Sequence, residues 1–94
     1  MNKITYEERA AVYETAMKKW GDGAQMLVAI EEMAELQKEL CKEFRGDTSV
    51  QNIADEIADV TIMLEQLRLM FDCNEIVCSR MDYKIQRLKE RIAG

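Results

Sequence analysis

The sequence contains no proline in 94 residues, and only four of its residues are glycine. Without proline, no backbone position loses its hydrogen-bond donor, so long uninterrupted helices are allowed. Glu, Lys, Ala, Leu and Met are abundant, and all five have high helix propensity. The composition therefore predicts an all-α fold.

The length of the chain predicts a single domain over residues 1–94. A chain of this size buries only a modest core, which favours assembly into a homo-oligomer. The net charge of −5 argues against polymeric nucleic acid as the main partner, because phosphate backbones attract basic proteins. We see no signal peptide and no apolar run long enough to span a membrane, so we expect a cytoplasmic protein.

Three cysteines, Cys41, Cys73 and Cys78, are predicted to be reduced thiols that fill the core. The chain has no histidine, and the three cysteines lack a fourth ligand and the close spacing of a zinc site. These thiols therefore do not predict a metal centre.

Capping and turn residues divide the chain into four predicted helices. Thr5 with Glu8, and Thr48 with Gln51, match the capping box, and Asn74 is the predicted N-cap of the last helix. The second helix is predicted to begin near residue 24. The predicted ends are Gly21 and Gly23 for the first helix, Arg45 followed by a C′ glycine at Gly46 for the second, Phe71 for the third and Ala93 for the fourth.

Each predicted helix has an apolar stripe whose members are spaced three or four residues apart. The stripes are Tyr6, Ala10, Tyr13, Met17 and Trp20; Met26, Ile30, Met33, Leu40, Cys41 and Phe44; Ile53, Ile57, Val60, Leu64, Leu67 and Phe71; and Val77, Met81, Ile85, Leu88 and Ile92. Four amphipathic helices joined by short turns predict a four-helix bundle.

Acidic residues are concentrated in the two middle helices. In the second helix, Glu31, Glu32 and Glu35 lie within about one and a half turns, which by itself also fits a solvated acidic face. In the third, Glu56 and Asp59 share one side, and Glu56 lies at the edge of the apolar stripe. Because burial of an unpaired charge is costly, we expect a cation to meet Glu56.

Carboxylates at i and i+3 on two facing helices would supply only oxygen ligands, which suit Mg²⁺ or Mn²⁺. Iron sites in helical bundles use Glu-x-x-His pairs, which a chain without histidine cannot form. The last helix has a basic strip, which either is a solvated flank or binds a polyphosphate beside the metal. Its members are Arg80, Lys84, Arg87 and Arg91.

The acidic segments "EEMAE" and "EIAD", in this order on consecutive helices, resemble the EExxE…ExxD signature of MazG-like all-α nucleoside triphosphate pyrophosphohydrolases. The superfamily includes dimeric dUTPases and phosphoribosyl-ATP pyrophosphohydrolases. The resemblance implies magnesium-dependent hydrolysis of a nucleoside triphosphate to the monophosphate and pyrophosphate, in the housecleaning of nucleotide pools, by a homodimer or homotetramer. The implied magnesium ligands are Glu32, Glu35, Glu56 and Asp59, with Glu31 adjacent to them. The implied phosphate-binding residues are Lys84 with Arg87 or Arg91.

With no histidine and no evident nucleophile, direct attack by water is the simplest mechanism, and Glu35 or Glu31 is the candidate that orients or deprotonates this water. Trp20 and Gln25, beside the glycine-rich turn, could stack on and read a base, although Trp20 equally continues the first apolar stripe. Two alternatives stay open: a non-catalytic helical interaction module with the same fold, and a phosphoribosyl-ATP pyrophosphohydrolase relative.

Overall fold

The computed structural model describes residues 2–94, and all of its regular structure is helical. The four helices are α1 (Tyr6–Trp20), α2 (Asp22–Phe44), α3 (Val50–Met70) and α4 (Asn74–Ala93). The predicted all-α fold with four helices is therefore confirmed. Within residues 2–94, no helix has both the length and the apolar character needed to span a bilayer.

A single glycine separates α1 from α2. The predicted N-cap of α1 is confirmed, because the Thr5 hydroxyl accepts a hydrogen bond from the Glu8 amide at 3.1 Å. At the other end, Gly21 has φ of 90°, in a region that favours glycine, and α2 begins at the next residue. The prediction that Gly23 also lies between the helices is wrong, because the one turn at Gly21 already redirects the chain.

The turn between α2 and α3 closes as a Schellman motif. Gly46 has φ of 68°, and the amide of Asp47 donates to the carbonyl of Lys42 at 2.9 Å, which confirms the predicted C′ glycine. The predicted N-cap of α3 is wrong by one residue, since the Ser49 hydroxyl accepts from the Asn52 amide at 3.1 Å. The Thr48 hydroxyl instead donates a hydrogen bond to the Glu39 carboxylate of α2.

The turn between α3 and α4 has the same backbone pattern without a glycine. Asp72 adopts φ of 48°, and the amide of Cys73 donates to the carbonyl of Arg68 at 3.0 Å. The predicted N-cap role of Asn74 is wrong, because Asn74 is already the first helical residue. Its side-chain oxygen instead accepts a hydrogen bond from the Arg68 guanidinium at 3.1 Å.

Helices α1, α2 and α3 form the core, and α2 and α3 make the most extensive contact of any pair. The buried apolar residues are Tyr13, Ala29, Val60 and Met63, and the buried polar residues are Gln25, Glu39 and Gln66. Polar contacts also join α1 to α3. The Gln66 amide donates to the backbone carbonyl of Tyr13 at 3.4 Å.

Several residues of the predicted apolar stripes lie outside this core. Ile30 and Phe44 on α2 are 59% and 94% exposed. The prediction that the cysteines fill the core is wrong for Cys41 and Cys78, which are exposed, whereas Cys73 is half-buried. Three packed helices bury only one face of each helix, so the outer members of a stripe remain in solvent.

Helix α4 contacts only α3 and buries none of its own residues. Four of its five stripe residues are largely exposed: Met81, Ile85, Leu88 and Ile92. The radius of gyration is 16.1 Å, compared with about 12 Å for a compact chain of this length. The single chain therefore has an extended shape with a large apolar surface along α4.

Candidate metal centre

Three carboxylates from two helices converge on one point. Glu32 on α2 and Glu56 and Asp59 on α3 each place an oxygen within 4.8 Å of the oxygens of the other two. We refer to these residues as the carboxylate triad. Their convergence follows from the spacing of three that puts Glu56 and Asp59 on one side of α3, and from the close packing of α2 against that side.

No basic side chain neutralises the triad within residues 2–94. One oxygen of Glu56, Oε2, is buried and has no hydrogen-bond partner. The two ion pairs of the described chain lie elsewhere, between Arg9 and Glu65 and between Lys42 and Glu39. A buried acceptor without a donor is rare in a folded protein and calls for a missing cation or other partner.

The electrostatics of the triad are those of crowded like charges. Burial raises the pKa of Glu32 above its ordinary value, and the charge of Asp59, a hydrogen bond to Asp59 and the charges of Glu56 and Glu35 raise it further. Burial likewise raises the pKa of Glu56, followed in size by the charges of Asp59, Glu35, Glu39 and Asp55. The ionised triad is thus unfavourable until a positive charge offsets it.

The triad fits a small, hard divalent cation. Its donors are all carboxylate oxygens, which Mg²⁺ and Mn²⁺ prefer. Oxygens bound to one Mg²⁺ lie about 3 Å apart at adjacent positions and about 4.2 Å apart at opposite positions, so the oxygens of the triad, which lie within 4.8 Å of one another, would draw together around a bound ion. The unpartnered oxygen of Glu56 would gain its missing partner from such an ion.

The other acidic residues of the sequence motif lie around the triad in different ways. Glu35 and Glu31 are both exposed and lie outside the triad. The charge of Glu35 contributes to the raised pKa of both Glu32 and Glu56. Of the two candidates for orienting water, Glu35 is therefore the one whose charge acts on the triad.

The candidate base-binding residues Trp20 and Gln25 line a common surface cavity. The cavity has a volume of about 480 Å³, and Ala24 and Val28 complete its lining. The Trp20 ring is 59% exposed, with the ammonium of Lys19 at 5.3 Å from its centre, whereas Gln25 is only 7% exposed. Trp20 therefore does not belong to the core, and an open aromatic face lies beside a buried amide.

The candidate phosphate-binding residues Lys84, Arg87 and Arg91 are all exposed on α4. Because α4 approaches neither α1 nor α2, the fold of one chain does not bring this strip to the Glu32 side of the triad. The Arg87 guanidinium lies 5.9 Å from the centre of the Tyr83 ring, and Arg80 lies 4.7 Å from the same ring. These basic residues form a surface of their own.

Sequence reasoning missed one acidic residue beside the triad, Glu39. It is only 8% exposed, and its charge contributes to the raised pKa of Glu56. The available signal was its position, four residues after Glu35 and seven after Glu32, which places it on the same face of α2. It was overlooked because it lies outside both acidic motifs.

The chain matches no protein-family model, and no match was found among the curated proteins or the solved structures. Membership in the MazG-like superfamily therefore stays a prediction that rests on the two acidic motifs.

Proposed function

We propose that the protein is a magnesium-dependent pyrophosphohydrolase of nucleoside triphosphates. The observation that carries the proposal is the convergence of Glu32, Glu56 and Asp59, with one buried oxygen of Glu56 left without a partner. The order and spacing of the acidic motifs, which resemble those of MazG-like enzymes, support the same function. A triphosphate suits such a site because its oxygens are ligands that a carboxylate-bound Mg²⁺ accepts in addition.

The triad would hold Mg²⁺ or, as a substitute, Mn²⁺, and Glu35 is the adjacent fourth carboxylate. Bound there, the ion would offset the charge that develops on the phosphate oxygens in the transition state. Glu35 orients the attacking water and accepts its proton. Hydroxide adds to one phosphorus of the α–β anhydride, the bridging P–O bond breaks, and the products are a nucleoside monophosphate and pyrophosphate.

The base of the nucleotide occupies the cavity between Trp20 and Gln25. An exposed indole ring offers a face on which a base stacks, a contact worth about 1–3 kcal/mol in nucleic-acid complexes. The Gln25 amide is buried beside it and offers both a donor and an acceptor. These two groups provide shape and hydrogen-bond selection of the base.

The phosphates are contacted by Lys84, Arg87 and Arg91 from a neighbouring copy of the chain. In one chain α4 buries none of its residues and contacts only α3, so its apolar stripe is available to a second subunit. We assign the protein a homo-oligomeric state on this basis. Mixing an inactive E56Q protein with an inactive K84M/R87M protein should then restore part of the activity, because some mixed sites contain neither substitution.

The decisive experiment is a panel of nucleotides assayed for pyrophosphate release with and without Mg²⁺. The panel contains canonical and modified triphosphates together with phosphoribosyl-ATP. We expect turnover of at least one member that requires Mg²⁺ and is lost in E35Q and in D59N. E14Q, which changes an exposed carboxylate on α1, is the matched control and should retain activity.

The same panel tests the rival function of a non-catalytic interaction module. The exposed apolar stripe of α4 is the feature that favours this rival. Absence of turnover across the panel, with correctly folded protein and saturating Mg²⁺, would overturn the enzymatic proposal. Turnover of phosphoribosyl-ATP alone would reassign the substrate within the same superfamily.

A further inference from the structure

Glu39 is a buried acidic residue that the proposed reaction does not use. Only 8% of its surface is exposed, although it carries a carboxylate. The Thr48 hydroxyl, from the turn between α2 and α3, donates a hydrogen bond to one of its oxygens. The Lys42 ammonium lies 3.8 Å from the other oxygen. The side chain is thus held in one orientation by two neighbours.

The position of Glu39 continues the row of carboxylates on α2. Glu32, Glu35 and Glu39 are separated by three and four residues, which places them on one face of the helix. Glu32 on this face of α2 meets Glu56 and Asp59 of α3, and Glu39 is buried on the same face. Glu39 therefore lies about two turns after Glu32, on the same side of α2.

The two neighbours of Glu39 leave most of its negative charge uncompensated. Thr48 is a neutral donor, so its hydrogen bond orients the carboxylate without cancelling the charge. Lys42 is at the long limit of an ion pair, and its side chain is 35% exposed, so water screens its effect. The Glu39 carboxylate is therefore buried and oriented on the face of α2 that meets α3.

We propose that Glu39 is a positioning residue for the divalent cation. Its carboxylate, fixed by Thr48, adds negative potential at Glu56 and raises the affinity of the triad for the ion without binding it directly. The inference rests on the proposed function, because it requires a cation at the triad. It adds a determinant of cation affinity that lies outside the acidic motifs.

A purely structural role for Glu39 gives a different expectation. In that case its hydrogen bond with Thr48 would only anchor the turn over residues 45–49, and its charge would be irrelevant. The substitution E39Q separates these roles, since glutamine keeps an oxygen that accepts from Thr48 but removes the charge. T48V does the reverse, because it removes the hydrogen bond and leaves the charge.

The test measures Mn²⁺ binding to the full-length protein by isothermal titration calorimetry near neutral pH. We expect E39Q to weaken binding about tenfold, the lower end of the range for groups that support metal ligands. T48V should lower thermal stability more than E39Q does and weaken Mn²⁺ binding less. E43Q is the matched control, one turn further along α2 and exposed, and should bind like the wild type.

A second substitution, which should change Mn²⁺ affinity in the opposite direction, keeps the test decisive if E39Q does not fold. K42M removes the ammonium that partly offsets Glu39, so Mn²⁺ binding should become tighter. The expected gain is only about twofold to threefold, because the lost charge is partly exposed and water screens it. K38M removes an equal charge from α2 without an ion pair to Glu39 and should have a smaller effect.

The outcomes separate this inference from the proposed function. Unchanged Mn²⁺ affinity in E39Q, or in K42M where E39Q does not fold, overturns the positioning role while cation binding by the triad stands. A wild-type protein that binds no Mn²⁺ overturns both. Weaker binding in E39Q together with wild-type binding in E43Q supports the inference.

Discussion

An oxygen of Glu32 on α2 and an oxygen of Asp59 on α3 lie within 4.8 Å of each other, with no basic side chain paired to either within residues 2–94. Two ionised carboxylates at this distance repel each other, and partial burial of Glu32 strengthens the repulsion. The most extensive helix contact of the molecule therefore contains a repulsive cluster. Such an arrangement is expected where a bound cation offsets the repulsion among the carboxylates.

Divalent cations should stabilise the folded protein. A ligand that binds only the folded state raises stability by about 2.7 kcal/mol at a concentration one hundred times its Kd. We expect millimolar Mg²⁺ to raise the melting temperature of the wild type, measured by differential scanning calorimetry. In E56Q the response should be largely lost, whereas E14Q should respond like the wild type. An equal rise in all three proteins would indicate a general salt effect instead.

The contribution of the triad to the free energy of unfolding should fall as the pH rises without metal, and the stabilisation by Mg²⁺ should grow as the pH rises. Glu32 and Glu56 have pKa values raised above the ordinary 4.5, so the folded state holds their protons more tightly than the unfolded state does. Without metal, their contribution to stability is fully present below about pH 4.5 and is lost as the pH rises through the raised values. Mg²⁺ binds the ionised carboxylates, so its stabilising effect should grow over that same interval.

Urea denaturation between pH 4 and 8, with Mg²⁺ and with EDTA, measures both effects. The contribution of the triad is the difference in unfolding free energy between the wild type and the double variant E32Q/E56Q, since other titrating groups cancel in that difference. In EDTA, the double variant should become the more stable protein as the pH rises. A difference that stays constant across the interval would contradict the raised pKa values.

Local sequence signals predicted the helices but not every boundary. The spacing of apolar residues identified four helices, and Thr5 and Gly46 have their predicted capping roles. Two neighbouring hydroxyl residues, Thr48 and Ser49, both suit an N-cap; Ser49 caps α3, and Thr48 donates to Glu39 of α2 instead. A hydrogen bond to another helix is not visible in the local sequence pattern, which fits both residues equally.

The acidic motifs predicted the convergence of carboxylates for a physical reason. A spacing of three fixes the side of a helix, and packing of two consecutive helices brings those sides together. Burial of Gln25, Gln66 and Glu39 was not predictable in the same way. Polar residues become buried where tertiary contacts supply hydrogen bonds, and the spacing of residues along one helix does not predict those contacts. The exposure of α4 likewise depends on what lies beside it.

The polar network between α1 and α3 should contribute measurably to stability. The Arg9 guanidinium donates to both oxygens of Glu65 at 3.0–3.2 Å, and the Tyr13 hydroxyl donates to the same carboxylate at 3.2 Å. Y13F removes one hydrogen bond to a charged group, yet Glu65 keeps its bonds to Arg9. We therefore expect a loss of about 1 kcal/mol in the free energy of unfolding.

For a domain of this size, 1 kcal/mol corresponds to a fall of about 4–8 °C in melting temperature. The matched control is Y83F, which removes the hydroxyl of a tyrosine that is 54% exposed on α4. It should change the melting temperature by much less. Equal effects of the two substitutions would show that the hydroxyl of Tyr13 has no special role.

The apolar stripe of α4 should hold the subunits together. Ile85 and Leu88 are 62% and 49% exposed in the single chain, and full burial of such side chains is worth about 1.5–3 kcal/mol each. We expect wild-type protein to sediment as a dimer or tetramer, and I85E/L88E to sediment as a monomer with unchanged helix content by circular dichroism. I76E, also on α4 but off the stripe and 65% exposed, should keep the wild-type assembly.

The monomeric I85E/L88E variant should lose pyrophosphate release while still binding Mn²⁺, because Lys84, Arg87 and Arg91 no longer reach a neighbouring triad. Monomeric wild type at tens of micromolar would contradict both the assembly and the shared site.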